Sequence, residues 1–110
     1  MKESTNPSIV LVLSTVGNSA DAERLAKDLI SQSLAACVQI DGPLISHYRW
    51  AGKVEQGEEF RLSIKTSLAT WPKLRDRLQK EHPYDEPQIV MIPIVEATEG
   101  YRDWVIEQTS

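Results

Sequence analysis

The sequence of 110 residues predicts an α+β fold in a single domain. Two observations predict it. Apolar runs of strand length alternate with segments whose apolar residues recur every three or four positions, and a long stretch of alternating side chains lies between them. A chain of this length commonly forms one domain that buries roughly 65% of its unfolded surface. We expect residues 1–7 to be a flexible N-terminus and residues 8–110 to form the domain.

The first two elements are a buried strand and an amphipathic helix. Ile9 to Leu13 is a continuous apolar run, which is typical of a central strand covered on both faces. Residues 14–19 form a polar turn in which Asn18 or Ser19 can cap a helix. The following apolar residues are spaced by three or four and make one stripe on a helix: Ala22, Leu25, Ala26, Leu29, Ile30 and Leu34.

The second strand leads into a long antiparallel hairpin. Ala36 to Ile40 is a short apolar strand, and residues 41–43 predict a bend or bulge rather than a true end. From Ile45 to Lys65 the side-chain character alternates on both sides of a polar segment, so we predict two paired strands with a turn within Glu55 to Glu58. Such a ribbon is too long for a small domain to cover, and it predicts a partner or a ligand.

The last three elements are a helix, a strand and a short helix. Thr70 is a candidate N-cap, and Pro83 ends the helix that follows. Ile89 to Val95 is an apolar run in which Pro93 favours an edge position or a bulge. A short amphipathic helix is marked by Tyr101, Trp104 and Val105. The order strand, helix, strand, strand, helix, strand, helix is that of the ferredoxin-like split βαβ fold, whose uncovered sheet face calls for oligomerisation or a ligand.

Composition narrows the classes of partner and location. The formal net charge of −4 argues against nucleic acid as the main partner, because phosphate binding needs a basic face. No window approaches the ~20 apolar residues of a membrane span. The first apolar stretch has about five residues, fewer than a secretory signal needs. The single cysteine, Cys37, fits a reducing compartment and an inert core position, so we expect a cytoplasmic protein.

Metal binding is the first candidate chemistry. His82 opens the segment HPYDEP, in which Asp85 and Glu86 follow closely, so an imidazole and two carboxylates could converge on a divalent cation. His47 lies beside Arg49, which is an unfavourable neighbour for a cation ligand. The chain has no CxxC, HxH or HxxxH spacing, which argues against a preorganised zinc site. His82 is therefore either a weak metal ligand or a residue of a turn or cleft.

Motifs of catalysis are missing from the sequence. Ser14 and Thr15 follow the first strand without a GxSxG elbow, and the loop they open has no Walker GK[ST] element. That loop also lacks the arginine that a phosphoryl-transfer enzyme would need, since the nearest one, Arg24, is inside the helix. We therefore expect a protein that is not an enzyme.

The aromatic residues are the stronger functional candidates. Their first interpretation is packing at a subunit interface, where aromatics are enriched. The second is an interface whose clefts also hold a small ligand, with Arg49 and Lys65 as anion-binding cations. The residues concerned are Tyr48, Trp50, Tyr84, Tyr101 and Trp104.

Five segments together carry a family resemblance. They are LAACVQI (34–40), SHYRWAGKVEQGEE (46–59), IKT (64–66), HPYDEPQIV (82–90) and YRDW (101–104). In this order and spacing they resemble the CutA proteins, which are associated with divalent-cation tolerance. The resemblance runs from about Ile9 to Glu107, and it is far more specific than any one segment.

The resemblance implies a ferredoxin-like protomer assembled into a homotrimer through strand pairing between subunits. It places Tyr48, Trp50 and Phe60 at the trimer interface. The architecture is similar to that of the PII signalling proteins, which bind small effectors in clefts between subunits. That similarity implies a ligand cleft formed by Tyr48, Arg49, Lys65, Tyr84 and Trp104.

The resemblance also implies a role in the response to divalent metal ions, with copper among the proposed ligands and no established reaction. Some members have a cysteine where this chain has Ser14, and a glutamate is frequent where it has Gln88. The loss of a soft thiolate and a carboxylate predicts weak divalent-cation binding near His82, supported by Asp85 or Glu86. The alternative is a PII-like sensor whose intersubunit cleft binds a small anionic effector.

Overall fold

The computed structural model describes residues 7–110, which form a four-stranded antiparallel sheet and three helices. The elements are β1 (Ile9–Val16), α1 (Ser19–Ser31), β2 (Cys37–Trp50), β3 (Lys53–Ser67), α2 (Trp71–Glu81), β4 (Val90–Ile94) and α3 (Glu99–Gln108). The strand order is β2-β3-β1-β4, and every neighbouring pair is antiparallel. The predicted α+β, ferredoxin-like class is confirmed. Of the predicted flexible N-terminus, residues 1–6 lie outside the described residues.

The hydrophobic core lies between the sheet and helices α1 and α2. Val10 and Val12 of β1 are buried against Leu25 and Leu29 of α1, so the predicted apolar stripe of that helix is confirmed. The alternate β1 residues, Leu11 and Leu13, are only half-buried. The prediction that β1 is covered on both faces is therefore wrong for the single chain, because α1 and α2 pack against the side that carries the valines.

The first strand is longer than the sequence predicted. β1 continues to Val16, which pairs with Phe60 of β3, so Ser14 and Thr15 are strand residues and not part of a turn. The cap of α1 is confirmed, since the Asn18 side chain accepts a hydrogen bond from the Asp21 backbone N–H at 2.8 Å. The extension of β1 places Thr15 beside the loop that follows α2.

The hairpin turns at Ala51-Gly52, which have φ of 52° and 77°. Trp50 pairs directly with Lys53, which is the arrangement of a two-residue type I′ turn. The predicted turn within Glu55 to Glu58 is wrong. Those residues continue β3, and their polar character reflects the exposure of the ribbon to solvent rather than a reversal of the chain.

A bulge interrupts β2 as predicted. Asp41 pairs with Arg61 and Leu44 with Glu59, so β2 has one residue more than β3 across this interval. A Cβ at Gly42 would lie 2.5 Å from Cδ2 of Phe60, and Gly42 has a φ of 152°. Phe60 packs over this glycine and against the core of its own chain. The side chain is half-buried in the single chain, and its predicted place at the trimer interface stays a prediction.

The chain after the hairpin is tied together by buried hydroxyl groups. Thr70 stands at the N-cap position of α2 but makes no side-chain capping bond, so its predicted capping role is wrong. Its hydroxyl instead accepts a hydrogen bond from Ser67 Oγ at 2.8 Å and donates one to the Thr109 carbonyl at 2.7 Å. The end of α3 is thus joined to the corner between β3 and α2. β4 lies at a sheet edge, as Pro93 predicted.

Candidate functional site

An open cleft of about 820 Å³ lies where the hairpin meets the end of β1 and the loop after α2. We call it the hairpin cleft. Its lining residues come from all three segments: Thr15, Ser46, His47, Tyr48, Arg49, Trp50, Glu55, Glu59, Tyr84, Asp85, Glu86 and Gln88. Side chains alternate along each strand and Tyr48 pairs with Glu55, so alternation places only part of the lining on one side of the ribbon. That side carries Ser46, Tyr48, Trp50, Glu55 and Glu59, whereas His47 and Arg49 alternate to the other.

Of the five predicted ligand-cleft residues, the structure places three in the hairpin cleft and two elsewhere in the chain. Tyr48, Arg49 and Tyr84 line the hairpin cleft together. Lys65 does not, because it lies ten residues from Glu55 along β3, roughly 33 Å in an extended strand. Its Nζ donates a hydrogen bond to Gln39 Oε1 at 2.7 Å. The predicted cleft lies between subunits, so the place of Lys65 in it stays a prediction.

Trp104 lines a second, smaller groove of about 490 Å³ beside α1 and the start of β2. Ile30 and Cys37 also line it. Cys37 is half-buried at the first residue of an edge strand, so the predicted core position is wrong for the single chain, and its predicted inertness stays a prediction. Trp104 likewise lies outside the hairpin cleft of the single chain, and its predicted place in a cleft between subunits stays a prediction.

The charge of the hairpin cleft is negative. Its lining residues include four carboxylates, Glu55, Glu59, Asp85 and Glu86, and one guanidinium, Arg49, so their formal sum at neutral pH is −3 (four negative, one positive) with His47 neutral. An open cleft lined mainly by one sign of charge concentrates ions of the opposite sign. The hairpin cleft therefore favours the predicted cation over the small anion of the alternative prediction.

The floor of the cleft is built around Tyr84. Its hydroxyl donates a hydrogen bond to Glu59 Oε2 at 2.9 Å and passes close to Gly17, where a Cβ would lie 3.3 Å from the phenol oxygen. Burial and the neighbouring Glu59 raise the pKa of Tyr84 to about 12. The phenol consequently stays protonated at neutral pH, and it serves as a fixed donor to the Glu59 carboxylate.

His82 joins the loop that carries Tyr84 to strand β1. The imidazole is buried, with 8% of the residue exposed. Nδ1 accepts a hydrogen bond from the Tyr84 backbone N–H at 3.1 Å, so the proton of the neutral ring belongs on Nε2, which donates to the Thr15 carbonyl at 3.0 Å. Ser14 Oγ lies 3.2 Å from the same nitrogen. Burial lowers the pKa of His82, which keeps the ring neutral.

The structure does not bring the predicted metal ligands together. Asp85 and Glu86 line the hairpin cleft, whereas both nitrogens of His82 are engaged beneath it. Among residues 7–110 no group of three or more histidines, cysteines or acidic residues is arranged to hold a metal ion. A cation bound directly to His82 would have to displace one of the hydrogen bonds that fix the loop.

Sequence reasoning missed Glu55 and Glu59 as cleft residues. The error follows from the misplaced turn, because a reversal within residues 55–58 ends the alternation that would place Glu55 and Glu59 on one face. With the reversal at Ala51-Gly52, positions 55 and 59 alternate onto the side of Tyr48. The sequence does contain a signal for this wall of the cleft. If the turn is assigned at residues 51 and 52, the acidic residues at positions 55 and 59 fall on one face of the following strand.

The family model described as CutA1 divalent ion tolerance protein matches residues 10–108. The chain belongs to the CutA family. The resemblance predicted from five sequence segments is thereby confirmed, and the family description links its members to tolerance of divalent ions.

Individual CutA proteins are similar over nearly the whole chain. The divalent-cation tolerance protein CutA of Thermus thermophilus is 43% identical over 90% of this chain and 96% of its own length. The structure of CutA from Synechococcus elongatus has a TM-score of 0.91 at 33% identity, over 97% of this chain and 95% of that one. The periplasmic divalent cation tolerance protein CutA of Archaeoglobus fulgidus has a TM-score of 0.88 at 34% identity, over 93% and 99%.

The location of this protein stays a prediction. The relative from Archaeoglobus fulgidus is described as periplasmic, whereas the sequence alone led us to expect a cytoplasmic protein. Among the helices of residues 7–110, none combines the length and the apolar character needed to cross a membrane.

Proposed function

We propose that this CutA protein is a non-enzymatic homotrimer that acts in divalent-cation tolerance and binds a divalent cation such as copper weakly near His82. The observation that carries the proposal is the negative hairpin cleft, where Asp85 and Glu86 continue the loop that His82 anchors. Carboxylate oxygens bind divalent cations generally, and imidazole adds affinity for copper.

The binding is weak because the ligands are not preassembled. Asp85 and Glu86 offer their oxygens to the cleft, but the His82 imidazole is already hydrogen-bonded through both nitrogens. A cation therefore meets the carboxylates first, and His82 contributes by fixing the loop that carries them. Ser14 and Gln88 add neither a thiolate nor a carboxylate, which lowers the affinity expected for copper.

The trimer is supported by apolar surface that the single chain leaves exposed. On the hairpin Trp50 is 61% exposed and Val54 69%, and next to the opposite edge strand Val95 is 76% exposed. The outer edges of β2 and β4 are unpaired within the described chain. Pairing with the edges of other copies would satisfy their backbone groups and cover these side chains. Tyr48 and Trp50 are then the predicted interface aromatics that remain on the surface.

Calorimetric titration with Cu(II) tests the metal site. The variant Asp85→Asn with Glu86→Gln should bind at least tenfold more weakly than the wild type, since two carboxylates are lost. Glu23→Gln, a change on the exposed face of α1, should not alter the affinity. Equal affinity in the wild type and the double variant would remove this site.

Light scattering should give the mass of three chains, and a mass near one chain at micromolar concentration would rule out the trimer.

The alternative function, a PII-like sensor of an anionic effector, has Arg49 as its support. This guanidinium lies in the hairpin cleft between Tyr48 and Trp50 in the sequence. Its predicted companion Lys65 lies elsewhere in the chain, and four carboxylates surround the cleft. A thermal-shift screen of anionic metabolites tests it, because a ligand of the native state raises the melting temperature. An effector whose stabilisation is lost in Arg49→Ala would favour this function over the first.

A further inference from the structure

The loop between α2 and β4 is hydrogen-bonded to the rest of the chain through Tyr84. Pro83 and Pro87 lie on either side of the segment YDE (84–86), and a proline has no backbone N–H to donate. Within residues 7–110, the hydrogen bonds of residues 83–87 are both those of Tyr84, one from its backbone and one from its side chain. The hydrogen bonding of this loop therefore depends on one residue.

The two hydrogen bonds of Tyr84 lead to different parts of the fold. The backbone N–H donates to Nδ1 of His82 at 3.1 Å, and the imidazole in turn joins the loop to the end of β1. The phenol donates to Glu59 Oε2 at 2.9 Å, which joins the loop to β3. Glu59 directly precedes Phe60, where the pairing of β3 with β1 ends, so this bond reaches the base of the free part of the hairpin.

The phenol fits closely between the end of β1 and the hairpin. A Cβ at Gly17 would lie 3.3 Å from the Tyr84 oxygen, so the glycine leaves the space that the hydroxyl occupies. The rings of Tyr84 and His82 pack with their centroids 5.0 Å apart. All these contacts are made within one chain. They do not depend on exposure of the hairpin, and copies that cover it in the proposed trimer would leave them in place.

Asp85 and Glu86 follow Tyr84 directly, and neither forms an ion pair within residues 7–110. The position of their carboxylates is therefore set by the backbone that Tyr84 holds. We infer that Tyr84 is a positioning residue, whose hydrogen bond to Glu59 joins the loop to the hairpin and keeps both carboxylates at the hairpin cleft. The inference rests on the proposed function in that these two carboxylates are the proposed cation ligands.

Hydrogen exchange of the metal-free, assembled protein tests this role of Tyr84. In Tyr84→Phe, which removes only the phenol oxygen, the backbone amide at position 84 should exchange about tenfold faster, since a hydrogen bond to a charged group is lost. Glu59→Gln keeps an acceptor for the phenol and should exchange more slowly at this position than Glu59→Leu, which keeps none. Tyr101→Phe, the same change on α3, should leave the exchange at position 84 unchanged.

Calorimetric titration with Cu(II) shows whether the hydrogen bond serves the proposed site. Tyr84→Phe should bind Cu(II) about tenfold more weakly than the wild type, because the cation must then order the loop that carries its ligands. The change leaves the net charge unaltered, so this loss reports the position of the carboxylates and not electrostatic attraction. Tyr101→Phe should bind Cu(II) with the affinity of the wild type.

Two results would overturn the inference. The first is equal exchange at position 84 in the wild type and in Tyr84→Phe. The second is faster exchange with unchanged Cu(II) affinity, which would show that the bond to Glu59 does not position the ligands. Absence of Cu(II) binding to the wild type would instead remove the proposed metal site. The exchange rates need no metal, and they would still decide whether Tyr84 holds the loop.

Discussion

The backbone N–H of Tyr84 donates a hydrogen bond to Nδ1 of His82, which fixes the proton of the imidazole on Nε2. The pair links the floor of the hairpin cleft to β1, because the same imidazole donates to the Thr15 carbonyl. The buried His82 and the cleft residue Tyr84 are thus joined by a hydrogen bond across two positions of the chain. His82 must be neutral for this bond, because a protonated Nδ1 could not accept the hydrogen.

We predict that stability falls in mildly acidic solution because of His82. Burial lowers the pKa of His82 below its ordinary value of 6.5, so the unfolded chain binds the proton more readily than the folded one. This contribution is constant above pH 6.5 and is lost as the pH falls from 6.5 towards the folded pKa. Thermal melts between pH 7.5 and 5 measure it. The drop should be smaller in His82→Gln, and an identical drop in both proteins would show that other groups cause it.

We predict that Leu25→Ala destabilises the protein by about 3 kcal/mol, because the side chain is fully buried and its removal leaves a cavity. Ile30→Ala is the matched control on the same helix, since Ile30 is 44% exposed and should cost less than about 1 kcal/mol. Denaturant unfolding gives both values. A similar loss in the two variants would mean that Ile30 is covered in the assembled protein.

We predict that Gly42→Ala costs about 2 kcal/mol of unfolding free energy, since an L-residue is strained at φ of 152° and its Cβ would overlap Phe60. Gly100→Ala is the control. A Cβ at Gly100 meets nothing within 4 Å, and alanine favours a helix by about 0.8 kcal/mol relative to glycine. Chemical denaturation should therefore shift in opposite directions for the two changes. Stabilisation by Gly42→Ala would contradict the packing of Phe60 over the bulge.

We predict that Ala51→Gly stabilises the hairpin by roughly 0.5–1 kcal/mol. Ala51 has a φ of 52°, a left-handed conformation that costs an L-residue with a Cβ more than it costs glycine. The gain is the relief of this strain less the greater flexibility of glycine in the unfolded chain. Melting temperature measures it, with Ala51→Val as the converse, destabilising change. A lower melting temperature for Ala51→Gly would show that flexibility outweighs strain at this turn.

The element types followed from periodicity, but the turn did not. Apolar spacing located the buried stripe of α1, and Pro93 placed β4 at an edge, since both depend on residues with strong intrinsic preferences. The reversal at Ala51-Gly52 uses an alanine at positive φ, which local propensity disfavours. A hairpin stabilised by many cross-strand bonds imposes that conformation, and no short sequence window contains this information.

The site was predicted less completely than the fold. Tyr48, Arg49 and Tyr84 line one cleft of the single chain, because they belong to the hairpin and to the HPY segment, and their role in binding a ligand stays a prediction. Lys65 lies apart from them in the single chain, where its Nζ donates to Gln39 Oε1, and its predicted place in a cleft between subunits stays a prediction. The buried state of His82 was also not predictable. It results from the extension of β1 to Val16, which brings the Thr15 carbonyl under the imidazole.

The strand order has a consequence for the growing chain. β1 is paired on both sides, by β3 and β4, yet both partners follow it in the sequence, and β4 ends only at Ile94. During synthesis the apolar β1 therefore stays unpaired until most of the protein has left the ribosome. The β2–β3 ribbon closes through a two-residue turn and needs no distant partner. We expect it to form first and to offer the edge on which β1 is later captured.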